Sequence, residues 1–328
     1  MKRIRLNGIL LASLIVMFTV TAAARSKKDD VNEIGDRDVS RRSIISQEKE
    51  IALGRQYATE FERTAKIVKD PVIAEYVNRV AQNLARNSDL KIPLTVKVID
   101  SPELNAFALP GGFLYINTGL IQAAEGEDQL AGVMAHEIAH VAARHWASQM
   151  TKATLLQYAT IPLIFIPMTY PVYMGVSTAM NFGIPLAFLK FSRGAEAEAD
   201  YLGLQYMYRS GYDPNAYVTF FGKIMEEERR HPGSAPKIFM DHPPTQDRIL
   251  KSEQTIKEIL PQREQYLVTT SEFEEIKDRL RVVVAKAKKQ DKSAPTLRKR
   301  EPSETASPQA GDDGRSDQDD RPVLRRRN

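Results

Sequence analysis

One stretch constrains this chain more than any other: AGVMAHEIAHVAARHW, Ala131 to Trp146. It holds three of the five histidines, His136, His140 and His145. From Asp128 to Met150 there is no proline, and no glycine after Gly132. The run is rich in alanine, which predicts one continuous helix, long enough to be buried. Each helical residue turns about 100°, so His136 and His140 lie about 40° apart on one face. On the same wheel His145 points about 180° from His136 and about 140° from His140. An unbroken helix therefore keeps it from anything they hold, and it reads as a surface or packing histidine.

Two imidazoles at i and i+4 with a glutamate between them form the H-E-x-x-H pattern. That spacing suits a tetrahedral zinc held from one rigid helix, with Zn–N bonds of about 2.0–2.1 Å. Glu137 is too near His136 to share its direction, but it can reach a water at the metal and act as general base. The competing reading is a pair of core histidines. The flanks are apolar, so the helix is buried, and unpartnered buried polar groups are costly. That favours a metal. The extended pattern H-x-x-G-x-x-H is excluded, because Ala143 and Trp146 stand at its last two positions. A carboxylate from a second helix is the remaining solution, and SRGAEAEAD offers Glu196, Glu198 and Asp200. Glu196 and Asp200 share a helix face, while Glu198 lies about 200° from Glu196. Glu196 is read as the third ligand and Asp200 as the group that orients a ligand histidine. An ordinary acidic helix surface accounts for Glu198.

The rest of the chain supplies a scaffold. Ile45 to about Val68 reads as an amphipathic helix with Ser46 as its cap. KDPVIAEYVNRVAQNLARNS reads as another, capped by Asp70, with Pro71 in its first turn and Val72, Tyr76, Val80 and Leu84 in one stripe. PLTVKVID then alternates, which predicts a strand. NAFALPGGFLYINTGL predicts a hairpin around LPGG. Later helices are expected over SRGAEAEADYLGLQYMYRSG, from Asp213 to about Arg230, from near Thr245, and from Ser271 to Lys289. Between the two candidate ligand helices, Ala153 to Leu189 carries no charge but holds Pro162, Pro167, Pro171 and Pro185. It is long enough to span a bilayer. A lid or hairpin packed on the protein, a surface inserted in a membrane and a true span all remain open for it.

Lys2, Arg3 and Arg5 precede an uncharged run and a small-residue site at Ala22–Ala24, the pattern of a secretory signal peptide. The expected organisation is a signal peptide at 1–24, a linker at 25–44, one domain at 45–289 with the apolar insert 153–189, and a disordered polar tail at 290–328. With no cysteine there can be no disulfide, thiolate metal site or cysteine nucleophile. The net charge of +4 is mild and no basic face carries interleaved aromatics, so no nucleic acid partner is expected.

HEIAH followed by SRGAEAEAD, together with EIALGRQYATEF, NAFALPGGFLYINTGLI and HPPTQDR, resembles metallopeptidase family forty-eight. The likeness covers about Ile45 to Leu260 and is nearest to the periplasmic, BepA- and LoiP-like branch. It departs from that branch in lacking TPR repeats and a lipidated cysteine. It also lacks the multiple clear membrane helices of other members. The resemblance implies an α+β fold: a mainly helical gluzincin domain with a small antiparallel sheet whose edge strand lines the active-site cleft.

The resemblance also implies roles. His136, His140 and Glu196 match the ligands of one Zn2+ per chain, and Glu137 matches the catalytic glutamate. Asn105 and Ala106, with Phe107 beside them, match the substrate-aligning edge strand. His242 matches a histidine that can sit on the zinc and hold the enzyme latent, where the residues alone suggest a loop histidine before Pro243. Arg248 matches an arginine near the site, a candidate with His242 to stabilise the oxyanion. The implied function is a zinc metalloendopeptidase acting on unfolded or misassembled envelope proteins, exported to the periplasm, with possible membrane-surface contact through 153–189. The alternative is a latent zinc-containing chaperone or binding module with little proteolysis.

Overall fold

A computed structural model describes residues 27–164, 190–231 and 236–293. The described residues up to Ala287 form one compact unit. The chain enters it through two 3-10 turns, Lys27–Asp29 and Val31–Glu33. Helix α1 follows at Gln47–Glu62, capped by Ser46, which accepts from the Lys49 N–H. Helix α2 is Pro71–Arg86, and its cap Asp70 accepts from the N–H groups of Val72 and Ile73. Its buried face is Ile73, Tyr76, Val77, Val80, Ala81 and Leu84. Val72, placed in the stripe by the sequence reading, is 44 % exposed. It sits one residue, about 100°, from the true centre at Ile73.

The sheet is mixed, which corrects the expectation of an antiparallel one. Strands β1 (Thr95–Ile99), β2 (Ala106–Leu109) and β3 (Phe113–Asn117) lie in the order β1-β3-β2. β2 runs antiparallel to β3, as the hairpin reading requires, and Gly111 and Gly112 make the turn at φ +77° and +87°. β1 pairs with the far side of β3 and runs parallel to it. Period-two alternation says which face of a strand is buried, not which way its partner runs. β2 is left at the edge. Because Asn105 C=O accepts from the Asn117 N–H, the ladder alternation turns Phe107 and Leu109 toward β3. The backbone groups of Ala106 and Ala108 then face the free edge.

Helices α3 (Thr118–Ala123) and α4 (Glu127–Ala142) follow, and every residue of α4 is buried. The expected single helix from 128 to 150 does not form. Arg144 adopts φ +53° and the chain restarts as α5, His145–Ile164. A non-glycine residue in this region costs about 1–2 kcal/mol. Arg144 offsets that cost with bonds from its guanidinium to Glu50, at 2.8 Å, and to the Ile45 carbonyl, at 2.7 Å. Such a break has no glycine or proline to announce it. The insert expected at 153–189 lies outside the described residues from 165 on. Among the described residues no helix is long and apolar enough to cross a membrane.

Helix α6 (Arg193–Arg209) packs along α4, followed by α7 (Asn215–Arg230), α8 (Lys237–Asp241), α9 (Gln246–Ile259) and α10 (Ser271–Ser293). α4 and α6 can approach closely because α6 presents Gly203 to the His136 backbone. A Cβ there would lie 3.2 Å from both Cα and N of His136. Gly203→Ala is expected to lower stability by about 1–3 kcal/mol through overpacking. Urea unfolding of the variant checks this, and an unchanged midpoint would contradict the close approach.

The stretch 25–44, expected as a linker, is packed over its described part. Val31, Ile34 and Val39 belong to the main core. Arg37 is buried and donates through Nε to Asp89 at 2.9 Å. The Arg41 N–H donates to the Ala143 carbonyl at 2.9 Å. Three apolar residues in separate short turns make no helical or strand period, so the sequence reads as polar there. The polar tail expected at 290–328 lies outside the described residues from 294 on.

Candidate metal centre

Helix α4 carries His136, Glu137 and His140 into the middle of the fold, and α6 brings Glu196 and Asp200 opposite them. His242 follows α8. His136, His140, Glu196 and His242 are all buried, and one donor atom from each lies within 4.8 Å of the others. His136 Nε2 is 3.0 Å from His140 Nε2 and 3.4 Å from His242 Nδ1. Glu196 Oε1 lies 3.0 Å from His242 Nδ1 and 3.6 Å from His140 Nε2, and Oε2 lies 3.5 Å from His136 Nε2. A tetrahedron with metal–ligand bonds of about 2.0–2.1 Å has edges of about 3.3–3.4 Å. The donor spacing fits that figure.

The groups around the donors decide which nitrogen faces inward. His136 Nδ1 lies 3.1 Å from Asp200 Oδ1, so its N–H points outward and its Nε2 lone pair points into the cluster. Asp200 is held by Arg248, through Nε at 2.7 Å and Nη2 at 2.6 Å, and accepts from the Tyr217 hydroxyl. This is the carboxylate–histidine arrangement that fixes metal-binding imidazoles. His140 Nδ1 is likewise engaged outward, 2.9 Å from His145 Nδ1. His136 Nε2 and His140 Nε2 thus face each other at 3.0 Å, and a metal between them would take a lone pair from each.

Charge points the same way. Glu137, Glu196 and Asp200 bring three carboxylates, against Arg248 alone as a fixed cation. Burial disfavours a charged His136, yet Asp200 and Glu196 outweigh it and hold its pKa up to about 9. Burial also works against ionised Glu196, and His136 and His242 overcome it and hold that carboxyl far below the usual range. Burial pushes the Glu137 carboxyl up. Glu137 Oε2 accepts from the Ala108 N–H of the edge strand at 3.1 Å. Its Oε1 is buried and has no hydrogen-bond partner, with His242 Nε2 3.4 Å away. A buried acceptor without a hydrogen bond, beside a ring of donors, fits a site meant to hold a metal and a reacting water.

The other anticipated residues fall as follows. The Ala106 backbone lies on the free edge. Asn105 is buried, its amide 3.5 Å from Asp241 Oδ2, and its Oδ1 has no partner. Phe107 turns its ring to the other face, 5.3 Å from Phe61 and 5.2 Å from Tyr115, so its side chain packs rather than lining the cleft. Arg248, expected to stabilise an oxyanion, instead commits its guanidinium to Asp200, to Glu196 at 3.0 Å and to the Pro243 carbonyl at 3.0 Å. Its guanidinium brackets the Glu196 and Asp200 carboxylates. His145 corrects the helical-wheel reading: with the helix broken at Arg144 it turns back under His140 and is fully buried. Glu198 is not a plain surface acid either, since it meets His145, Arg41 and Lys28. Tyr217 was not anticipated, and only its aromatic type in an apolar helix face marked it.

The match to known proteins agrees with this geometry. Residues 71–256 match the model of Peptidase family M48. The chain belongs to peptidase family M48. Within the M48 match lie both ligand-bearing helices, the edge strand and His242. The Beta-barrel assembly-enhancing protease of Escherichia coli (strain K12) is 30% identical over 258 residues, covering 77% of this chain and 53% of that protein. A Putative beta-barrel assembly-enhancing protease of Vibrio cholerae is 30% identical over 241 residues, 71% of this chain and 49% of that one. The Mitochondrial metalloendopeptidase OMA1 of Schizosaccharomyces pombe is 36% identical over 194 residues, 58% and 55%. The chain spans about half the length of the curated relatives it matches.

Proposed function

We propose that this M48 chain is a zinc-dependent metalloendopeptidase, resting in a closed state, that hydrolyses peptide bonds of unfolded or misassembled exported proteins. The observation that carries the reading is the buried, unpartnered Oε1 of Glu137 beside four converging metal donors. His136, His140 and Glu196 would hold the zinc, with His242 as the fourth donor. When bound, zinc supplies Lewis acidity toward a water and a carbonyl oxygen. Glu137 takes the proton of the attacking water at Oε1 and hands it to the leaving amine. The backbone of Ala106 and the Ala108 carbonyl receive the substrate as an added strand, while the Ala108 N–H holds Glu137. The protease names of the relatives support hydrolysis, and nothing favours the binding-module alternative. The basic, apolar leader and the absence of cysteine support a periplasmic location.

A catalytic zinc keeps one position open, and four protein donors close it. His242 therefore acts as a latch. It is carried by α8, which is tied to the entry of the edge strand by the Ile238 N–H on the Leu104 carbonyl at 3.3 Å. His242→Ala is expected to retain zinc on three ligands and to cleave an unfolded protein such as casein faster than the wild type. The same assay run with Glu137→Gln tests the function itself. Casein cleavage by wild type that survives full zinc removal would overturn the metalloendopeptidase reading. A slower His242→Ala protein that still holds zinc would overturn the latch.

A further inference from the structure

We infer that His145 and Glu198 fix the metal-facing form of His140, through a proton-ordered chain that ends in the N-terminal segment. The inference rests on the zinc reading above and concerns two residues that it leaves unused.

A neutral imidazole carries one N–H and one lone pair. For His140 to offer Nε2 to a metal, its proton must sit on Nδ1. The acceptor there is His145 Nδ1, at 2.9 Å. His145 Nδ1 must then be bare, so the His145 proton sits on Nε2. That nitrogen lies 3.2 Å from Glu198 Oε2, which can only accept. Glu198 in turn takes the Arg41 Nε–H at 2.6 Å and the Lys28 ammonium at 3.1 Å. Every donor along the chain finds an acceptor. The reverse order fails at both ends: it would put a proton on His140 Nε2, blocking the lone pair, and would set a bare His145 Nε2 against a carboxylate.

The two ligand histidines are thus held differently. His136 meets its carboxylate directly, at Asp200. His140 reaches one only through a second imidazole. Helix α6 supplies both outer carboxylates, Glu198 and Asp200, as well as the ligand Glu196 that precedes them. The break at Arg144 is what brings His145 into place, and backbone held in a sparsely populated region commonly serves a site. The ring of Phe191 stacks on His140 at 4.2 Å and lies 5.9 Å from His145, closing the remaining side. His145 and Glu198 are positioning residues. Their chain couples metal binding to Lys28 and Arg41.

The test uses full-length protein, freed of metal and titrated with zinc against a chromophoric chelator. H145F keeps a ring of similar size but removes the acceptor, and H145N keeps an acceptor at the δ position. H145F is expected to weaken zinc binding by about 10–100-fold, with H145N recovering most of the loss, the range seen when an outer partner of a metal ligand is removed. H145F binding zinc as tightly as wild type overturns the inference, as does equal loss in both variants. H140A separates the two levels. If H140A binds zinc like wild type, the metal site itself is wrong; if it loses zinc while H145F does not, only the present inference fails. A readout independent of any variant's folding is the histidine nitrogen-15 spectrum of the zinc-loaded wild type. His145 is expected as the Nε2–H form, and the Nδ1–H form would contradict the chain.

Discussion

Glu137→Gln is expected to bind zinc as the wild type does and to cleave unfolded protein about 10²–10⁴-fold more slowly, the usual contribution of a positioned general base. The carboxamide has the same shape, and its oxygen can still accept from the Ala108 N–H. His136, His140 and Glu196 are untouched, so the donors stay. What is lost is a group that can take a proton at the buried Oε1 position, which no hydrogen bond reaches and which lies 3.4 Å from His242 Nε2. Zinc content by mass spectrometry and casein cleavage on the same preparation give both halves. Unchanged cleavage with zinc bound would remove Glu137 from the chemistry. Loss of zinc along with activity would make Glu137 a structural partner of the metal rather than its base.

Arg37→Met is expected to lower stability by about 3–5 kcal/mol, the cost of breaking a buried ion pair from one side. Arg37 and Asp89 expose 2% and 0% of their side chains. Asp89 also accepts from the Tyr206 hydroxyl at 2.9 Å and the Gly35 N–H at 2.9 Å, so its carboxylate stays buried when the guanidinium goes. Arg37 further donates to Gln205 of α6 at 2.8 Å and to the Lys28 carbonyl at 2.5 Å. The substitution therefore loosens the segment that carries Lys28 and Arg41 as well as the core. Urea denaturation followed by circular dichroism checks it. A loss under about 1 kcal/mol, the range of an exposed pair, would show that water reaches the site.

The sequence made the inner site legible for a physical reason. His136, Glu137 and His140 lie on one helical turn, and Glu196 and Asp200 on another, so local periodicity alone places them. His242 needed the family likeness, because a histidine before Pro243 has no geometry of its own. His145 shows where such reasoning stops. A helical wheel assumes an unbroken helix, but this one breaks at Arg144, and the groups that stabilise the break are the Ile45 carbonyl and Glu50, far away in sequence. Glu198 was misread for the same reason, its partners being Lys28, Arg41 and His145. The packed segment 27–44 was missed because its apolar residues are few and follow no regular period. The direction of β1 was missed because alternation carries no information about it.

In the proposed resting protein His136, His140, Glu196 and His242 hold one zinc. X-ray absorption at the zinc edge, on full-length protein as purified, tests it most directly. The expected spectrum shows one zinc per chain with three imidazoles and one carboxylate at about 2.0–2.1 Å, and one imidazole fewer in His242→Ala. A wild-type protein that binds no zinc would contradict it, and so would an imidazole count unchanged by removing His242.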